Sequence, residues 1–135
     1  MRSNFEKTCA SELMLAGVDY EYEPFQLEFM SRVRSGECED CGGSEVYQVR
    51  WYTPDFWVPK HDVVIEAKGK FTRENRSKML DVIKAWPELD IRMWFMYNNK
   101  LEKKSKVRYS DWAEKHGIVY HCGNKEAPKW LKDLL

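Results

Sequence analysis

Three side chains have the types and spacing to bind a metal ion and act beside it. Pro54-Asp55 is followed, after a short gap, by Glu66-Ala67-Lys68, a PD…ExK arrangement. Two carboxylates and a backbone carbonyl, that of Ala67, suit a hard cation such as Mg2+ or Mn2+, which prefers oxygen ligands and keeps several waters. A lysine beside such an ion can orient or deprotonate a water, or stabilise charge developing on a phosphate. Alone the string is weak, because its residues are common and its gap is variable. The plain structural alternative is that Asp55 caps a turn and Glu66 pairs with Lys68.

The elements around these residues favour the chemical reading. Val46–Tyr52, Phe56–Val58 and Asp62–Ala67 are short β-branched or aromatic runs separated by Thr53-Pro54-Asp55 and Pro59-Lys60-His61, a pattern that predicts a β-meander. Asp55 then sits at a strand junction. Glu66 and Lys68, two apart, share one face at the end of an apolar strand. Upstream, Phe5, Cys9, Leu13 and Ala16 recur at helical spacing before Gly17, so residues 4–16 are expected to be a helix. Tyr20 to Phe29 reads as one strand interrupted at Pro24, and 31–45 as a polar loop. Downstream, 73–86 predicts a helix with Met79, Ile83 and Trp86 on its buried stripe, ended by Pro87. Asp90–Tyr97 is a buried strand. Residues 98–109 form a basic connection, Ser110 is expected to cap a short helix ending at Gly117, and 118–121 is a last strand. Pro128 opens a C-terminal amphipathic helix. The order is that of one mixed α/β domain.

With 135 residues, 43% hydrophobic and 14% aromatic, the chain is too short for two ordinary domains and too apolar for disorder. Basic and acidic side chains number 22 each, a balance that argues at first against a polyanionic partner. Their distribution argues otherwise. Residues 1–50 carry 5 basic and 10 acidic side chains, 51–67 carry 1 and 3, 68–108 carry 12 and 5, and 109–135 carry 4 and 4. The net charges are therefore −5, −2, +7 and zero. The basic block begins at Lys68 itself, and Arg73, Arg76 and Lys78 follow, so the candidate metal site adjoins a surface suited to phosphate. The first ten residues lack the apolar core of a signal peptide, and no run approaches the roughly 18 apolar residues of a membrane span. A cytoplasmic protein without a membrane partner is expected.

The run YTPDFWVPKHDVVIEAKGK, with WPELDIRMWF, WAEKHGI and the opening FEKTCASELMLAGVDYEYE, resembles the endonuclease I family of T-odd bacteriophages, Holliday-junction resolvases of the PD-(D/E)xK nuclease superfamily. The likeness covers nearly the whole chain. It implies a restriction-endonuclease-like α/β core, a central mixed β-sheet flanked by helices, in an intertwined homodimer whose N-terminal helix and strand (residues 1–30) are exchanged. Residues 1–135 would be a single nuclease domain with 31–45 as a loop insertion. By position, Asp55, Glu66 and Lys68 match the family's metal ligands and active-site lysine. Glu6 matches its additional glutamate and would help to hold a second metal ion; on its own it reads as a solvated helix-face side chain. The implied activity is Mg2+- or Mn2+-dependent hydrolysis of phosphodiesters in branched DNA, with paired nicks at four-way junctions inside an infected bacterial host. Lys70, Arg73, Arg76, Lys78, Lys100, Lys103, Lys104, Lys106 and Arg108 are assigned to the DNA phosphates. Two other readings are a superfamily endonuclease acting on linear or mismatched duplex, and a non-catalytic DNA-binding accessory protein.

Cys38-Glu39-Asp40-Cys41-Gly42-Gly43 departs from the family pattern and has the spacing of one zinc knuckle. A structural Zn2+ needs four ligands. Cys122 and His121, or the knuckle of a second chain, would have to complete it; otherwise the segment is a tight, reduced turn. His61, His116 and His121 have no recurring partner and are read as structural.

Overall fold

The computed structural model describes residues 3–33 and 46–135. Helix α1 (Asn4–Leu15) starts at Ser3, whose hydroxyl accepts from the Glu6 N–H at 3.1 Å. It ends where Gly17 takes a positive φ of 79°, a conformation that costs a glycine little. Phe5, Glu6, Cys9, Ala10 and Leu13 form its buried side.

The stretch expected to be one interrupted strand is two strands in different sheets. β1 (Glu21–Tyr22) pairs antiparallel with β4 (Phe56–Val58), while β2 (Leu27–Val33) pairs antiparallel with β3 (Val46–Tyr52) in a separate ribbon. The chain changes direction at Glu23, at φ 46°, just before Pro24, which has no N–H to continue a ladder. β2 also runs three residues into the segment expected to be a loop. The CxxC of Cys38 and Cys41 lies outside the described residues.

Nor do the three runs between 46 and 67 make a meander, because β3 is taken up by β2. Only β4 and β5 (Val63–Lys68) form a hairpin, with Phe56 opposite Ile65 and Val58 opposite Val63. α2 (Arg73–Ala85) then carries the chain to β6 (Asp90–Phe95), and α3 (Tyr109–Lys115) carries it to β7 (Val119–Cys122), each strand parallel to the one before. The result is a mixed five-stranded sheet in the order β1-β4-β5-β6-β7, flanked by helices. Two boundaries differ from expectation. α3 starts at Tyr109 with Arg108 as its cap, not Ser110, and the C-terminal segment is a 3-10 helix (Lys129–Leu134) that buries Leu131 and Leu134.

The sheet separates two apolar layers. α1 and the 3-10 helix cover Phe56, Val58, Val63, Ile65, Ala67 and Trp94 on one face; α2, α3 and the ribbon cover Val64, Ile91, Met93 and Phe95 on the other. The alternation along β5 therefore sends Glu66 and Lys68 toward the face of Val64 and α2. On α2 the buried side chains are Arg76, Met79 and Val82, whereas Trp86 is 40% exposed. The stripe thus lies about one turn nearer the helix start than the Met79, Ile83 and Trp86 expected.

Candidate active site

β4 is shorter than β5, and the site is built where it stops. Beyond Phe56, Ala67 has no strand partner on the β4 side, and the Asp55 side chain takes that place: its Oδ2 accepts the Ala67 N–H at 2.9 Å. The N–H and C=O of one strand residue point to the same side, so the Ala67 carbonyl faces Asp55 too. In return Glu66 Oε1 accepts the Asp55 N–H at 3.1 Å and the Tyr52 hydroxyl. Glu66 Oε2 faces Lys68 Nζ at 3.7 Å. Glu6 arrives from α1 with Oε2 accepting the Tyr22 hydroxyl at 2.6 Å. Glu6, Asp55, Glu66 and Lys68 line one cleft of about 250 Å3 with Trp51, Tyr52, Thr53 and, from α2, Asn75, Lys78 and Met79. Glu6, Asp55, Glu66 and Lys68 thus meet within a single chain.

Asp55, Glu66 and Glu6 are all buried, at 6%, 2% and 8% exposure. Burial and the neighbouring Glu66 push the Asp55 carboxyl up from 3.8 to about 8, against the pull of the Ala67 N–H and Lys68. Tyr52, wholly buried beside Glu66, stays a protonated donor, its hydroxyl shifted well above the ordinary range. Among the described residues no three His, Cys, Asp or Glu side chains form a ready-made cation cage. The donor set is an open one: Asp55, Glu66 and the Ala67 carbonyl, where burial and the neighbouring Glu66 already disfavour the charged form of Asp55, a penalty that a bound cation would offset. Such a set fits Mg2+ or Mn2+, which retain waters, better than a cation wanting an all-protein cage.

The basic residues divide into three groups. Lys78 lines the cleft with its Nζ 5.9 Å from the centre of the Tyr52 ring. Lys70, Arg73, Lys100, Lys103, Lys104, Lys106 and Arg108 are exposed. Residues 100–108 fold back on themselves through an antiparallel main-chain β-bridge between Lys100 and Arg108 and the Leu101 N–H to the Val107 carbonyl at 2.8 Å, which displays Lys103, Lys104 and Lys106 at a tip. Arg76 is placed differently from the sequence expectation. It is 9% exposed, and its guanidinium donates to the carbonyls of Phe71 at 2.7 Å and Leu101 at 3.4 Å and to Glu102 at 2.8 Å. Together with Arg73, which reaches Glu102 at 3.4 Å, it ties the basic tip to the start of α2. Arg108 also turns inward in part, donating to the Asn98 carbonyl at 2.8 Å.

Sequence reasoning missed Tyr52 and Tyr22, whose hydroxyls hold the two glutamates, and Asn75 of the cleft wall. In the runs VYQVRWY and YEYE the tyrosines read as strand aromatics, and only the three-residue step from Tyr52 to Asp55 hints at a shared site. Of the residues named for zinc, Cys122 is half-buried with its thiol pushed up to about 11 by burial, and His121 Nε2 contacts the Glu126 carbonyl at 2.9 Å.

A model of the phage endonuclease I family matches residues 1–134. The chain is 32% identical over 120 residues to a protein of Enterobacteria phage T3 named Endodeoxyribonuclease 1, covering 88% of this chain and 69% of that one. It is 31% identical over 134 residues to Endonuclease I of Escherichia phage T7, covering 98% and 78%. With an α/β core that brings Glu6, Asp55, Glu66 and Lys68 to one cleft, the chain belongs to the phage endonuclease I family.

Proposed function

We propose that this chain is a divalent-metal-dependent endodeoxyribonuclease that hydrolyses phosphodiesters in branched DNA, four-way junctions above all. The observation that carries the reading is the convergence of three buried carboxylates and a lysine in a cleft whose far wall bears Lys78. The names of the T3 and T7 relatives support a nuclease. Asp55, Glu66 and the Ala67 carbonyl would hold Mg2+ or Mn2+, and Glu6 would share a second ion. Such a cation supplies Lewis-acid polarisation of the phosphate and a water acidified for attack at neutral pH.

The chain's own groups do the rest. In the in-line displacement a water gives up one proton to solvent as its oxygen bonds to phosphorus, the bond to the leaving sugar oxygen breaks, and that oxygen takes up a proton from solvent. Lys68, held beside Glu66 and about a quarter exposed, stabilises the charge that grows on the phosphate oxygens. Lys78 approaches from α2 and holds the strand against the cleft. Lys70, Lys100, Lys103, Lys104 and Lys106 contact flanking phosphates, which fixes position without reading bases.

Paired nicks need two clefts, so the working form is a homodimer with a two-fold axis. Exchange of α1 and β1 between chains would keep the same packing around each cleft while delivering Glu6 to the other one. Cleavage of a four-way junction in Mg2+, compared with a linear duplex of the same sequence, tests the reading. A strong junction preference supports it, and equal rates overturn the assignment to branched DNA.

A further inference from the structure

We propose that Tyr52 is a positioning residue of this site: its buried hydroxyl, with the Asp55 N–H, fixes Oε1 of Glu66 so that Oε2 is the oxygen presented to the cleft. The inference rests on the reading of Glu66 as a metal ligand. Tyr52 closes β3, and β3 belongs to the ribbon, so no main-chain ladder joins it to β5. The ring lies in the apolar layer with Phe29, Val64, Phe71 and Met79 and is 2% exposed. Phenylalanine would satisfy that packing. A hydroxyl buried there is costly unless it is bonded, and its bond goes to Glu66 Oε1.

Segment 52–55 thus grips one carboxylate oxygen twice, through the Tyr52 O–H and through the Asp55 N–H at 3.1 Å. Two donors therefore converge on Oε1, matching the two lone pairs of a carboxylate oxygen. Oε2 is left facing Lys68 Nζ at 3.7 Å, beyond hydrogen-bonding distance. The terminal torsion of a glutamate is broad and two-fold. With one donor removed, Oε1 and Oε2 would exchange places, and the ligand oxygen would no longer be preset. The same ring lies beneath Lys78 Nζ, so it also forms the wall from which that lysine reaches the cleft.

The test uses the full chain with Tyr52→Phe, which keeps the ring, and reads Mn2+ affinity by calorimetry, junction binding in EDTA, and cleavage against Mn2+ concentration. The expected result is a loss of Mn2+ affinity of about tenfold, as for other groups that orient a metal ligand. Junction binding without metal should be unchanged, and cleavage should recover toward the wild-type rate at saturating Mn2+. Replacing Tyr52 by p-aminophenylalanine, which restores an N–H donor, should recover much of the affinity. Wild-type Mn2+ affinity in Tyr52→Phe, with Asp55→Ala binding no Mn2+, overturns the inference and leaves the metal site standing. A folded wild type that binds no Mn2+ overturns both.

Discussion

Asp55 carries two duties that a single measurement can separate. Its Oδ2 caps the free end of β5, and its carboxyl shares a buried site with Glu66. Without metal the folded chain holds the Asp55 proton up to about 8, against an ordinary 3.8. Between those values the folded state binds more protons than the unfolded one, so metal-free stability should fall as pH rises through that window. In EDTA, Tm should therefore decline from about pH 4 to about pH 8, and Asp55→Asn should flatten the decline by removing the titrating group. Added Mg2+ should restore Tm at the alkaline end in the wild type and not in the variant. An identical Tm profile in Asp55→Asn would show that the burial of this carboxyl is not felt by the fold. At this scale the sequence was legible where chemistry and spacing coincide, as in Asp55, Glu66 and Lys68. It was not legible at Tyr52 or Arg76, because the type of a side chain does not reveal whether its polar end meets solvent or a buried partner.

The basic elements differ in what they do, although their residues look alike in the sequence. Replacing Lys103, Lys104 and Lys106 together by alanine removes charge from an exposed tip and should lower the salt dependence of junction binding, by about one unit of slope for each phosphate no longer neutralised. Tm should hardly move. Arg76→Ala should do the reverse. Loss of its bonds to Phe71, Leu101 and Glu102 should cost about 1.5–3 kcal/mol, since these are charge-assisted bonds to partly buried acceptors. The salt slope should change little. Denaturant unfolding and salt-titrated binding of the two variants distinguish the roles. Legibility follows the same division between local and distant cause. α1, β5 and α2 were readable because periodicity and helix-ending residues such as Gly17 and Pro87 are local signals. The partnership of β3 with β2 was not, because period-two patterning identifies a strand and says nothing of which strand it joins. Pro24 was visible as a break, yet only the left-handed turn at Glu23 sends the chain into a second sheet.

For the whole molecule, the zero net charge conceals an acidic N-terminal part and a basic block that starts at Lys68. The fold turns that linear arrangement into a site. α1 brings Glu6 from the acidic part to the carboxylates, and the Arg73–Arg76–Glu102 tie holds the basic tip against the helix whose Asn75 and Lys78 form the cleft wall. The proposed dimer makes a mass prediction: light scattering should give about twice 16.1 kDa. Mixing Glu6→Ala with Asp55→Ala chains tests exchange as well. If the N-terminal segments cross, each mixed dimer has one intact cleft and nicks one strand; if each cleft is made by one chain, the mixture stays inactive. The general architecture was legible from element order. What pairs across chains is not written in the spacing of one of them. The most direct test of the central claim is cleavage of a four-way junction in Mg2+ by the wild type and Asp55→Ala side by side, with binding followed in parallel. The wild type should make paired nicks, and the variant should cut nothing while binding the junction near-normally; retained cleavage by Asp55→Ala would overturn the metal-dependent nuclease assignment.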